Sequence, residues 1–134
     1  MVSLIRDRRG QSVVEFALVL PMLLLVLFGI TELGRAVMTK NVLTSAAREG
    51  ARLAIVTEPN MDAVDARVRD VCKAAGITEP NVTINGPDAA GMITVRVTSV
   101  FTVIPGAGIF NLNGGSFPGE FTIGSTSVMR HETL

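Results

Sequence analysis

Histidine occurs once in the sequence and cysteine once, and these two scarcities remove most of the chemistry that a small protein could carry. Nucleophilic catalysis needs a base beside its serine or cysteine. The single histidine, His131, stands next to the last residues of the sequence, where fraying is expected. A metal centre needs clustered histidines, cysteines or carboxylates, and the acids here are dispersed along the chain. No enzymatic activity, no cofactor, no metal and no small-molecule substrate are therefore expected. Cys72 has no second cysteine with which to close an intramolecular disulfide. An unpaired thiol in an exported protein can cross-link chains or react, but its place in an apolar helical stripe reads as a buried core thiol.

Charge is scarce as well, 18% of residues against about 25% in an average globular protein. The shortfall is concentrated in residues 16–31, sixteen positions without a charge. The formal net charge is zero. Three of the twelve basic residues and one of the twelve acidic ones lie in residues 1–10, so the remainder carries nine against eleven, or −2. Such a balance leaves no basic footprint for nucleic acid. At 134 residues there is room for one small domain beside the apolar run, not for two.

The uncharged run is long enough to matter. With Val13 and Val14 it reaches eighteen positions interrupted only by Glu15, and a helix spanning the hydrocarbon core takes about 20 residues, within a range of roughly 17–25. Arg6, Arg8 and Arg9 against Asp7 make the preceding segment net positive, and such flanks stay in the cytoplasm. The C-terminal part is then expected outside the cytoplasm. An ordinary secretory signal should show an A-x-A-like site directly after the apolar core. The nearest small-x-small pattern, Ser45-Ala46-Ala47, comes some fifteen residues too late. Glu15 sits on the hydrophobic side of the arginines, where a carboxylate is tolerable at the water and headgroup level but not free of cost.

The stretch Gly10-Gln11-Ser12-Val13-Val14-Glu15-Phe16 resembles the prepilin-peptidase site of type IV pilin-like proteins. The resemblance implies cleavage between Gly10 and Gln11, leaving Glu15 as the fifth mature residue, followed by Phe16. More closely, residues 9–21, with Gly29-Ile30-Thr31-Glu32-Leu33-Gly34-Arg35 and Ala46-Ala47-Arg48-Glu49-Gly50-Ala51-Arg52, are similar to TadE-like proteins, pseudopilins of the tight-adherence (Flp) pilus machinery. Val128-Met129-Arg130-His131-Glu132 resembles that family's C-terminal end; the rest of the chain resembles it weakly. The resemblance implies a minor pilin that takes part in assembly or initiation of the pilus. Its partners would be a prepilin peptidase, other pilins, the assembly platform and membrane lipid. Two alternatives remain open: a signal-anchored extracytoplasmic binding domain, and the main subunit of a pilin-like filament.

The resemblance also implies a role for Glu15. After cleavage Gln11 would carry an α-amine with an ordinary pKa near 8, and opposite charges in a low-dielectric setting favour each other's ionised form. A newcomer's amine paired with a neighbour's carboxylate could register subunits. On the other reading Glu15 only marks the membrane boundary. Pro21 removes a hydrogen bond to Ala17 and favours a kink; it serves either as a bend for filament packing or as a proline that the membrane tolerates.

The expected fold class is α+β and type IV pilin-like: a long N-terminal transmembrane helix, a second helix and a small antiparallel sheet. The first helix is expected over residues 12–56, from Leu33, Ala36 or Val37, Leu43, Ala47, Gly50 and Ala54 at three- and four-residue spacing, with a longer gap bridged at Thr39 or Lys40. The expected segments are a cytoplasmic leader over 1–10, the membrane part over 11–34, its extracytoplasmic continuation over 35–57 and a small α+β domain over 58–134. Glu32 lies 17 residues from Glu15, about 260° further round an ideal helix, and pairs more plausibly with Arg35. Ala46, Ala47, Gly50, Ala51 and Ala54 invite close approach, by the protein's own sheet or by another subunit.

Glu58-Pro59-Asn60 ends one helix and caps the next. Met61, Val64, Val68, Val71, Cys72 and Ala75 then keep a 3.6-residue period up to Gly76, with Asp65 and Arg69 on the solvated face. Val82 and Ile84 mark a short strand. The turn formers Gly86-Pro87-Asp88 and Gly91 lead to a second strand in which Ile93, Val95, Val97, Phe101 and Val103 alternate with Thr94, Arg96, Thr98 and Thr102. Residues 104–119 read as a glycine-rich loop and 120–130 as a last strand. In the loop, Gly106-Ala107-Gly108 lacks the third glycine of a dinucleotide fingerprint. Asn81-Val82-Thr83 matches a glycosylation acceptor by chance composition and is given no function.

Overall fold

The computed structural model describes residues 8–56, 60–103 and 119–130, with side chains from Gly10 onward. Two helices and three strands follow one another: α1 (Arg8–Val56), α2 (Met61–Ala74), β1 (Asn81–Asn85), β2 (Met92–Thr102) and β3 (Glu120–Arg130). The class is α+β, as the two periodicities of the sequence require. At 49 residues, α1 is about 73 Å long at 1.5 Å per residue. It ends at Val56, where the stripe of small residues runs out. It begins at Arg8, before the expected start, and passes unbroken through Gly10 and Pro21.

Local chemistry explains where α2 starts and stops. The Asn60 side chain accepts a hydrogen bond from the Ala63 amide at 3.2 Å, satisfying one of the free donors of the first turn. At the other end Gly76 takes φ +82°, the left-handed conformation that closes helices. Its amide donates to the Lys73 carbonyl, and that of Ile77 donates to the Cys72 carbonyl, both at 3.0 Å. Ile77 then folds back onto the core beside Cys72.

The sheet is antiparallel, with β2 in the centre. β1 pairs with β2 so that Val82 faces Val97 and Ile84 faces Val95. Asp88 holds the connecting turn, its carboxylate accepting from the amides of Ala90 and Met92. β3 runs the full length of β2, Met92 opposite Arg130 and Thr102 opposite Glu120. The alternation of β2 falls as its sequence demands: Ile93, Val95, Val97 and Phe101 are buried, while Met92, Arg96, Val100 and Thr102 are exposed. The glycine-rich loop reading at 104–118 lies outside the described residues, as does His131.

The core lies between the second half of α1, α2 and the inner face of β2. Leu43, Ala46, Ala47, Ala51 and Ala54 meet Val64, Val68 and Cys72 from α2 and Ile93, Val95 and Val97 from β2. Gly50 occupies the tightest point. A Cβ there would stand 2.5 Å from Val68 Cγ2 and 3.3 Å from Val95 Cγ1, so the small-residue stripe is consumed within the chain, by α2 as much as by the sheet. Leu33 and Val37, earlier in the same periodic series, stay exposed.

Candidate assembly site on the first helix

The large apolar side chains along the N-terminal half of α1 are not buried by the described part of the chain. Val13, Phe16, Leu18, Val19, Met22, Leu23, Val26, Leu27 and Ile30 are all exposed. Its most apolar 18-residue window has a mean hydropathy of 2.7 and no buried residue. A water-soluble core helix would hide such a face, because burying each large apolar side chain is worth about 1.5–3 kcal/mol. The helix therefore has the length and composition of a membrane anchor, and it continues without interruption into the residues that build the core.

The candidate residues sit at the start of this helix. Gly10 is exposed, and among the described residues no heavy atom beyond its own turn of helix lies within 4 Å of where a Cβ would be. Nothing among the described residues requires a glycine there, although glycine in a helix costs about 1 kcal/mol relative to alanine. Gln11 and Glu15 are one turn apart, and Gln11 Nε2 donates to Glu15 Oε1 at 3.1 Å. That contact was legible from the i, i+4 spacing but escaped the sequence reading, which assigned Glu15 only a partner in another subunit. Phe16 follows on the exposed surface. Pro21 lies further along the helix and does not join the others. The structure thus brings Gln11 and Glu15 together and leaves Gly10, Phe16 and Pro21 as separate exposed positions.

Residues 10–52 match the family model of TadE-like proteins. This stretch, about a third of the chain, is similar to that family. It starts at the candidate cleavage glycine and ends within the buried stripe, so the match unites the exposed apolar half of α1 with the half that carries the core. No curated protein and no solved structure matches the chain.

Where the TadE-like segment leaves its exposed half, polar contacts tie it to the sheet. Arg35 Nη1 donates to both Glu32 carboxylate oxygens, at 2.9 and 2.7 Å, and its guanidinium lies 5.0 Å from the centre of the Phe101 ring. Phe101 in turn meets Phe121 across β2 and β3, with ring centres 5.0 Å apart. Lys40 Nζ donates to the Gly124 carbonyl, and Thr44 Oγ1 donates to Ser125 Oγ at 3.1 Å. The apolar series skips from Val37 to Leu43 because polar helix residues here face polar positions of β3.

Further on, Glu49 accepts from Arg52 in its own helix and from Arg67 of α2. Arg52 foremost, then Arg67, holds the Glu49 carboxyl below its usual range. On α2, Asp65 and Arg69 pair at 2.6 Å, as their spacing implies. Cys72 is fully buried, and burial pushes its thiol up, the opposite of what a reactive thiolate requires.

Proposed function

We propose that this protein is a minor pilin of a tight-adherence (Flp) pilus system, made as a precursor, cut between Gly10 and Gln11 by a prepilin peptidase and then added to, or used to initiate, the fibre. A TadE-like segment ties the chain to those pilus systems, whose TadE-like members are structural rather than catalytic. One observation supports the finer reading most: an apolar half-helix with no buried residue in its apolar window, continuous with the core helix of a small α+β domain. Removing such a helix as an ordinary signal would leave a cut beside the core, whereas cutting at Gly10 preserves the anchor intact. An exposed Gly10 suits recognition by another protein, since no described residue packs where its side chain would be.

In this reading residues 1–10 remain in the cytoplasm, residues 11–34 stay in the inner membrane, and the folded part stands outside. Other pilins and the assembly platform cover the exposed face when the subunit leaves the lipid. Glu15 accepts a hydrogen bond from the N-terminal nitrogen of a neighbouring subunit and sets the register. Replacing Gly10 with leucine tests the proposal. In cells that contain the peptidase the variant should accumulate as uncut precursor in the membrane and be missing from sheared pili. Normal processing and normal recovery in the pilus fraction would refute it.

A further inference from the structure

We infer that the mature N-terminal residue, Gln11, closes on itself to a pyroglutamyl lactam, and that Glu15 assists the closure. The inference rests on cleavage after Gly10. Cleavage turns the Gln11 nitrogen into an α-amine with a pKa near 8, of which about a tenth is neutral and nucleophilic at pH 7. Five-membered closure lies within reach of the residue's own side chain. The α-nitrogen bonds to Cδ, the bond from Cδ to Nε2 breaks, the hydrogen displaced from the α-nitrogen passes to Nε2, and ammonia leaves. No oxidant, reductant or second substrate is needed.

The geometry assigns Glu15 its part. Its carboxylate already holds Nε2, the departing nitrogen, at 3.1 Å, and so is in place to carry a proton to it. Two further effects favour the product. An ammonium at a helix N-terminus is repelled by the positive end of the helix dipole, and the neutral lactam removes that repulsion. An ammonium beside an apolar run also resists desolvation, which the lactam does not. Closure has a consequence for assembly, because the amide that occupies Glu15 in the precursor is the group that departs. The mature carboxylate then accepts the neutral lactam N–H of a neighbour instead of an ammonium, and only a processed subunit presents both halves of that contact.

The test uses the full chain in cells that contain the peptidase, lysed cold at neutral pH into an amine-labelling reagent, with mass spectrometry of the N-terminal peptide. The expected peptide starts at residue 11, is unlabelled and is lighter by one ammonia. Treatment with pyroglutamyl aminopeptidase should then expose Ser12 to the label. A peptide that starts at Gln11 and carries the label overturns the lactam while leaving the cleavage reading intact; a chain that starts at Met1 overturns both. In a pulse-chase experiment, processed Glu15→Ala chains should keep a labelled amine severalfold longer than processed native chains, and equal rates would overturn the part given to Glu15.

Discussion

Adding one methyl group at Gly50 is expected to destabilise the folded part of the chain, even though alanine is the better helix former. The new Cβ would stand 2.5 Å from Val68 Cγ2 and 3.3 Å from Val95 Cγ1, against about 3.5–4.0 Å for an ordinary carbon contact. Val68 cannot turn away cheaply, because a β-branched side chain in a helix keeps essentially one rotamer and this one is fully buried. Overpacking of this kind costs about 1–3 kcal/mol, offset by about 0.8–1.0 kcal/mol of helix propensity. The net loss is up to about 2 kcal/mol for Gly50→Ala, or a Tm lower by roughly 4–8 °C per kcal/mol for a folded part of this size.

The sign should reverse when Val68→Ala is already present: with the opposing methyl gone, Gly50→Ala gains its propensity of up to about 1 kcal/mol. Cys72 offers the assay, since it is the sole thiol of the chain and lies in the same core. Labelling by a maleimide along a urea series, in detergent, reports unfolding of the core while the micelle holds the apolar half of α1. A Gly50→Ala variant that is more stable than the native chain in the native background would refute the packing at this point.

Three further outcomes are expected. Glu15→Leu should insert and be cleaved normally but be depleted at least tenfold from sheared pili, because a hydrogen bond to a charged acceptor is worth about 1.5–3 kcal/mol; native abundance in the pilus fraction would reduce Glu15 to a boundary marker. The raised pKa of Cys72 gives stability that is fully present below the ordinary thiol value of about 8.5 and is lost as pH rises through the folded value. Urea midpoints should therefore be level between pH 7 and 8 and fall above pH 9, less steeply in Cys72→Ala. The chain contains no tyrosine, so no phenol complicates that range. Finally, a reporter fused after Leu134 should be active only if it works outside the cytoplasm, and activity of a cytoplasm-only reporter would reverse the orientation.

What the sequence determined by itself is everything governed by near neighbours. The end of α1 at Val56, the Asn60 cap, the stop at Gly76 and the alternation of β2 each depend on residues a few positions apart, and so do the ion pairs Glu32 with Arg35 and Asp65 with Arg69. The apolar run, too, shows in its length and composition that it could cross a membrane. Tertiary structure decided which surfaces meet. The periodicity marked Gly50 and its alanines as a face that something approaches, and only the fold shows that α2 and β2 fill it. Lys40 to Gly124, Arg67 to Glu49 and Arg35 over Phe101 join residues 84, 18 and 66 positions apart. Such contacts leave no local pattern, because each partner alone reads as an ordinary surface charge, a strand carbonyl or an inward-facing aromatic ring. Their pairing follows from the path of the backbone, which is set by the burial of the whole core and not by any one segment.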